Sequence, residues 1–338
     1  PYARYIGLQD RVLPFSLVLF LTSSMTHADA AKVQVGFGKA VYHWPAFAGD
    51  TFKKTFQVQS IRNTSDGNHS IIQFKCKLIN QRNKVCMTAI KRMLFEFPMM
   101  NADESTLNDD DDVEQQQQQL FRNHLLSKAD VLQDLGSHAL TSLRPGQLIY
   151  HTMNRSISFS QSQQLASLAR LTHERHFDRR KYDPKTEILI PGGLVLGLTM
   201  SASSRDLHEI LHEEIVGVSY VNALHPDDVV GAITYVSSVD DVVGDLESLT
   251  VRTIGVKNMD IVHGLDGVKL PLELFTGFSG GVGSSSGGGG CGNPKMLLLP
   301  KEIERICKEK CPKLSNKVVV QVERKIIRQA MRKEIFLL

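Results

Sequence analysis

An internal repeat constrains this chain more than any other feature. LPFSLVLFLTSSMTHAD from Leu13 reads like IPGGLVLGLTMSASSRD from Ile190: in each, a proline opens an apolar run that ends in small polar residues. Pro14 and Pro191 stand 177 positions apart. Asp50, in FAGDTFKKTFQVQSI, and Asp228, in LHPDDVVGAITYVSSV, stand 178 apart, as do Asn80 and Asn258. Three anchors at nearly constant spacing imply two copies of one structural unit.

Within each copy the apolar run is helical and apolar on nearly every side, so it must be enclosed. The segments after it read as strands. In the first copy these are Val33 to Trp44, Thr51 to Arg62, Ser70 to Asn80 and Lys84 to Phe97; in the second they are HEEIVGVSYVNAL, VVGAITYVSSV and SLTVRTIGVKN. The expected fold class is α+β, each unit a curved antiparallel β-sheet wrapped around a central apolar helix.

The 338 residues are enough for two such units. The first is expected over 1–100 and the second over 125–275. Between them, NADESTLNDDDDVEQQQQQLFRNH (101–124) joins an acidic run to five glutamines, and its few apolar residues predict a disordered linker. A helix is expected from Leu120 onward. GFSGGVGSSSGGGGCG heads a Gly/Ser-rich tether over 276–299. Residues 300–338 alternate basic and aliphatic side chains, which predicts a basic amphipathic helical extension that docks on a partner.

A net charge of +3 is too small to indicate nucleic-acid binding, and five cysteines do not form a disulfide framework in a chain this long. Arg11 to Ala30 has the outline of a signal peptide, but the repeat assigns it to the first helix. The chain begins at Pro1, so an upstream segment is expected. No apolar run is long enough to span a bilayer.

The densest cluster of ionisable groups is RLTHERHFDRRKYDP, just before Pro191. Its basic members, including Arg175, Arg179, Arg180 and Lys181, suit phosphate, of coenzyme A or of RNA. His208 and His212 lie four apart, flanked by Glu209 and Glu213, on an expected helix end; the order is not that of a zinc protease, and a solvated face is expected. Cys307 and Cys311 have no second pair except Cys291, so no metal site is expected.

A His-bearing acidic loop, then Pro191-Gly192, an apolar helix and a Pro226-x-Asp228 turn resemble the MaoC-like hydratase and dehydratase family of hotdog-fold proteins, over Gly146 to about Val262. The resemblance implies a double hotdog. It also implies a site in which the Asp and His of a Ser/Thr-Gly-Asp-x-Asn-Pro-x-His motif move protons on an enoyl thioester, while N–H groups at the helix start polarise its carbonyl. Laid without gaps, Thr172 takes the Ser/Thr place, His173 the Gly, Glu174 the Asp, His176 the Asn, Phe177 the Pro and Arg179 the His. Arginine stays protonated near neutral pH and is no general base.

Glu174 and His176 are therefore the candidate catalytic residues of a degenerate site. Gly192, Gly193, Arg179 and Arg180 are the candidate ligand-binding residues. The resemblance implies no cofactor beyond an acyl thioester of coenzyme A or acyl carrier protein as ligand. The expected function is a non-catalytic structural or binding subunit of a mitochondrial matrix assembly, the mitochondrial ribosome first, with protein partners and RNA within reach. The alternatives are an (R)-specific enoyl-thioester hydratase or 3-hydroxyacyl-thioester dehydratase of mitochondrial fatty acid metabolism, and an acyl-binding module that lost its chemistry.

Overall fold

A computed structural model describes residues 2–26, 29–100, 111–134, 142–208, 210–277 and 297–330. After a short helix α1 (Tyr2–Tyr5), the first unit consists of α2 (Phe15–Ser23) and strands β1 (Ala31–Tyr42), β2 (Phe52–Asn63), β3 (Ser70–Asn80) and β4 (Val85–Phe95). Helices α3 (Asp111–Leu126) and α4 (Ala129–Asp134) lead to β5 (Leu148–Tyr150), β6 (Arg155–Ser156) and α5 (Phe159–Leu168). The second unit continues with α6 (Gly192–Ser203), β7 (Ile210–Tyr220), β8 (Val229–Val243) and β9 (Leu246–Lys257). Then come α7 (Ile261–Gly264), α8 (Glu273–Thr276), α9 (Pro300–Lys310) and β10 (Val318–Gln329).

The strands form one sheet in the order β2-β3-β4-β1-β7-β10-β9-β8-β5, antiparallel at every pairing, with β6 also on β8. Four strands of each unit run outward from the β1–β7 seam in matching order. The register there carries the repeat: Gly36 faces Ser219 and Val41 faces Glu214, and each pair is the other's image under the offset of 178. A Cβ on Gly36 would lie 2.0 Å from the Val218 carbonyl oxygen, so only glycine lets the strands close there.

Pro14 and Pro191 each precede a central helix, as the repeat predicts. Val18, Leu19, Val195 and Leu196 are buried, because α2 and α6 pack on each other inside the sheet's curve. The small polar residues ending both helices are buried too, and they satisfy themselves locally. Thr22 and Ser23 hydroxyls donate to the carbonyls of Val18 and Leu19, and Thr199 donates to Val195. A Cβ on Gly193 would meet Phe20 at 2.8 Å, so this glycine sets the approach of the two helices.

The C-terminal extension is corrected. Only Pro300–Lys310 is the expected helix, α9; Val318–Gln329 is a strand between β7 and β9, with Val318, Val319, Val320, Val322 and Ile326 fully buried, and residues 331–338 lie outside the described residues. That strand is the second unit's counterpart of β4. Val318 follows Val85 by 233 positions, so 55 residues are inserted ahead of it relative to the offset of 178. Its two arginines are buried in ion pairs, Arg324 with Glu213 and Arg328 with Glu247, while Glu323 holds Arg252.

The linker is corrected in part. Residues 101–110 lie outside the described residues, but the glutamine run belongs to α3. That helix is held by Phe121 and Leu125 in the core and by Glu114, buried between Lys75 and Lys77 at 3.0 and 2.6 Å. Most of the expected tether, and Cys291 with it, also lies outside the described residues. His212 sits buried in strand β7 and not on a solvated helix, and Glu209 is outside the described residues. Cys307 and Cys311 are buried free thiols. No helix among the described residues is long and apolar enough to cross a membrane.

Candidate functional site

Where the C-terminal end of α2 meets the N-terminal end of α6 there is a cavity of about 370 Å³. Its walls come from both units: Phe20 and Met25 from α2 and its exit, Val33 and Val35 from β1, Lys91 and Met93 from β4, Tyr220 from β7, and the loop 171–193.

That loop is shaped by the end of α5. The helix starts with a capping box, Ser158 with Gln161, and ends in a Schellman turn. Leu171 N–H donates to the Ala166 carbonyl and Arg170 N–H to the Ser167 carbonyl, and Arg170 is left-handed at φ 59°. Glycine is preferred at such a position. Leu189 N–H to Arg175 O (3.0 Å) and Ile190 N–H to Leu224 O (3.0 Å) then fold the loop back toward Pro191.

Of the predicted catalytic pair, only His176 is in the cavity. Its Nδ1–H donates to the Leu189 carbonyl at 2.8 Å, which leaves Nε2 as the lone-pair nitrogen. Burial pulls its pKa down to about 4, so the ring is neutral near pH 7. His173 is beside it, ring centroids 5.9 Å apart. Arg175 N–H donates to His173 Nδ1, so His173 Nε2–H donates to the Ala31 carbonyl.

Glu174, by contrast, is exposed and held by Lys181 at 2.5 Å, so it does not join His176 in the cavity. Arg179 is exposed over the Phe159 ring, 5.0 Å from its centroid, and Arg180 is exposed and paired with Asp178. Neither arginine lines the cavity. Gly192 and Gly193 do line it, at a helix start whose first backbone bonds run from Leu194 and Val195 N–H to Pro191 O.

Because His176 and not Arg179 lines the cavity, a register shifted by three residues brings a histidine of the loop to the motif's His place. With His176 in the motif's His place, His173 takes the Asn place, Leu171 the Asp place and left-handed Arg170 the Gly place. In that register Leu171, which lines the cavity, stands at the Asp place. The described lining residues contain no Asp or Glu; their charged members are the cations Lys32, Lys91 and Arg175.

Sequence reasoning missed Lys91, Gln34 and Tyr220. Lys91 Nζ donates to the Ser23 carbonyl at 2.8 Å, and desolvation lowers its pKa to about 8. Tyr220 donates to the Gly192 carbonyl at 2.7 Å, and burial raises its pKa. Gln34 and Lys91 come from strands of the first unit, far from the loop in sequence, and only the pairing of units brings them to it, while Tyr220 reaches it from β7. No group of residues suited to hold a metal ion is found among the described residues.

No family model matches the sequence, and no curated protein matches it. Solved structures match its fold. A putative MaoC domain protein dehydratase from Chloroflexus aurantiacus J-10-fl is 15% identical, with 98% of this chain and 86% of that chain covered and a TM-score of 0.64. A conserved hypothetical protein from Mycobacterium tuberculosis, described as having a double hotdog fold, is 12% identical, with coverage of 97% and 84% and a TM-score of 0.57. By its architecture, ten antiparallel strands curved around two central helices, the chain has the MaoC-like double hotdog fold.

Proposed function

We propose that this chain is a non-catalytic double hotdog protein that keeps the ligand cavity of its fold and serves as a binding or structural subunit. One observation carries this: the described residues that line the cavity include His176 but no Asp or Glu to serve as the acid–base carboxylate. Adding water across an enoyl thioester needs a proton donor and a proton acceptor on one face of the double bond. A neutral imidazole of low basicity supplies neither strongly. The proposed setting is a mitochondrial assembly, the mitochondrial ribosome first, by analogy with metabolic folds that lack active sites. The C-terminal segment no longer supports it, being part of the sheet. Co-sedimentation with mitochondrial ribosomal subunits tests the setting.

The hydratase alternative is favoured by a specific feature, the unprotonated Nε2 of His176 in a cavity that also contains a helix start. An absorbance assay on crotonyl thioester separates the two. Wild type is expected to show no hydration above background, and Leu171→Asp to rise above wild type, since one positioned acid–base group contributes about 10²- to 10⁴-fold. Wild-type turnover that Leu171→Asp leaves unchanged would favour the hydratase.

A further inference from the structure

We infer that the cavity takes an unesterified aliphatic carboxylate of medium chain length, its head group on the Lys91 ammonium and its tail along the apolar wall. This deepens the function proposed above and rests on it, because both treat the cavity as a ligand site without turnover.

The buried lysines and arginines of the described residues give the first reason. Lys75 pairs with Glu114, Arg252 with Glu323, Arg324 with Glu213 and Arg328 with Glu247. Lys91 is 4% exposed, yet its one bond from Nζ goes to a backbone carbonyl, that of Ser23, and no carboxylate pairs with it among the described residues. A buried ammonium without a counter-charge is costly. The lowered pKa of Lys91 has that cause, with Lys54 adding repulsion.

The repeat gives the second reason. Arg324 follows Lys91 by the same 233 positions that separate Val318 from Val85, so the two cations are equivalent. Glu213, the carboxylate of Arg324, follows Val35 by 178 positions, and Val35 lines this cavity. The second unit thus builds in the carboxylate that its cation needs. The first unit has valine in that place and an open cavity beside the cation. A ligand carboxylate supplies the missing charge.

The rest of the lining suits such a ligand. Gln34 Nε2 is buried without a hydrogen-bond partner, so an amide donor awaits an acceptor oxygen. The N–H groups at the start of α6 add a positive end. Phe20, Met93 and Val195 offer apolar wall to a chain.

Titration calorimetry with decanoate and its neutral analogue decanamide tests this on the full chain. A charge-assisted hydrogen bond corresponds to about 10-fold or more in affinity. Wild type should prefer decanoate to decanamide by at least that factor. Lys91→Met, which removes the charge and keeps the stem, should lose the preference and bind decanamide as wild type does. Equal affinities on wild type overturn the inference without any variant, and so does decanoate binding undiminished in Lys91→Met. Binding of neither probe also overturns it, while leaving the absence of turnover untouched. Wild-type hydration of crotonyl thioester would remove the functional proposal and leave the preference for decanoate to be decided on its own.

Discussion

A chain ending at Gly277 is expected not to fold. Truncation there removes β10 from the middle of the sheet, so β7 and β9 lose the strand they share. It also strips Glu213 and buried Glu247 of Arg324 and Arg328, and buried Arg252 of Glu323. Removing one partner of a buried ion pair costs about 3–5 kcal/mol. Two such losses, with the bared apolar surface of β7 and β9, exceed a typical domain stability of about 5–15 kcal/mol. The measurement is solubility and thermal melting followed by circular dichroism. A soluble truncated protein with a cooperative melt would contradict the placement of β10.

Acid is expected to destabilise the protein steeply between pH 6.5 and pH 4. His43 is buried and His176 half-buried, and desolvation lowers each from 6.5 to about 4. Their folded pKa values lie below the unfolded ones, so the unfolded chain binds more protons across that window. The stability they contribute is complete above pH 6.5 and is lost as pH falls toward 4, at about 3 kcal/mol for each. Burial also lowers His151 and His212, which adds in the same direction. Glu213 opposes, because burial raises its pKa even against the nearby charge of Arg324. Urea midpoints at pH 7 and pH 4.5 check the sign, and a midpoint unchanged across that range would refute the neutral, desolvated state of these rings.

A spacing can encode a repeated unit but not a long-range partner, and the legible and hidden parts of this chain divide along that line. The two units were legible because Pro14 and Pro191 open helices whose enclosure dictates the same apolar run twice. The fourth strand of the second unit was not. Fifty-five inserted residues break the spacing, and VVVQVERKIIRQ looks like a charged surface until Arg324 and Arg328 are seen buried against glutamates from β7 and β9. The glutamine run misled for a similar reason: Glu114 anchors α3 through two lysines of β3 that nothing local predicts.

At the site, the loop's chemistry was legible but its register was not. Glu174 and His176 are two apart, and only the left-handed turn at Arg170 shows that Leu171, not Glu174, faces the cavity. No composition reveals that an arginine occupies a glycine's conformation. Lys91 was hidden because it belongs to the other unit, and its lack of a carboxylate is visible only beside the pair formed by Arg324 and Glu213.

Deuterium exchange tests the central claim most directly. Crotonyl thioester is incubated with the wild-type protein in heavy water, and mass spectrometry looks for the 3-hydroxybutyryl product and for deuterium at the carbon next to the carbonyl. With no Asp or Glu among the described residues that line the cavity, neither is expected above the rate without protein. Deuterium incorporation at an enzymatic rate, abolished by His176→Ala, would contradict the account and make the chain a hydratase.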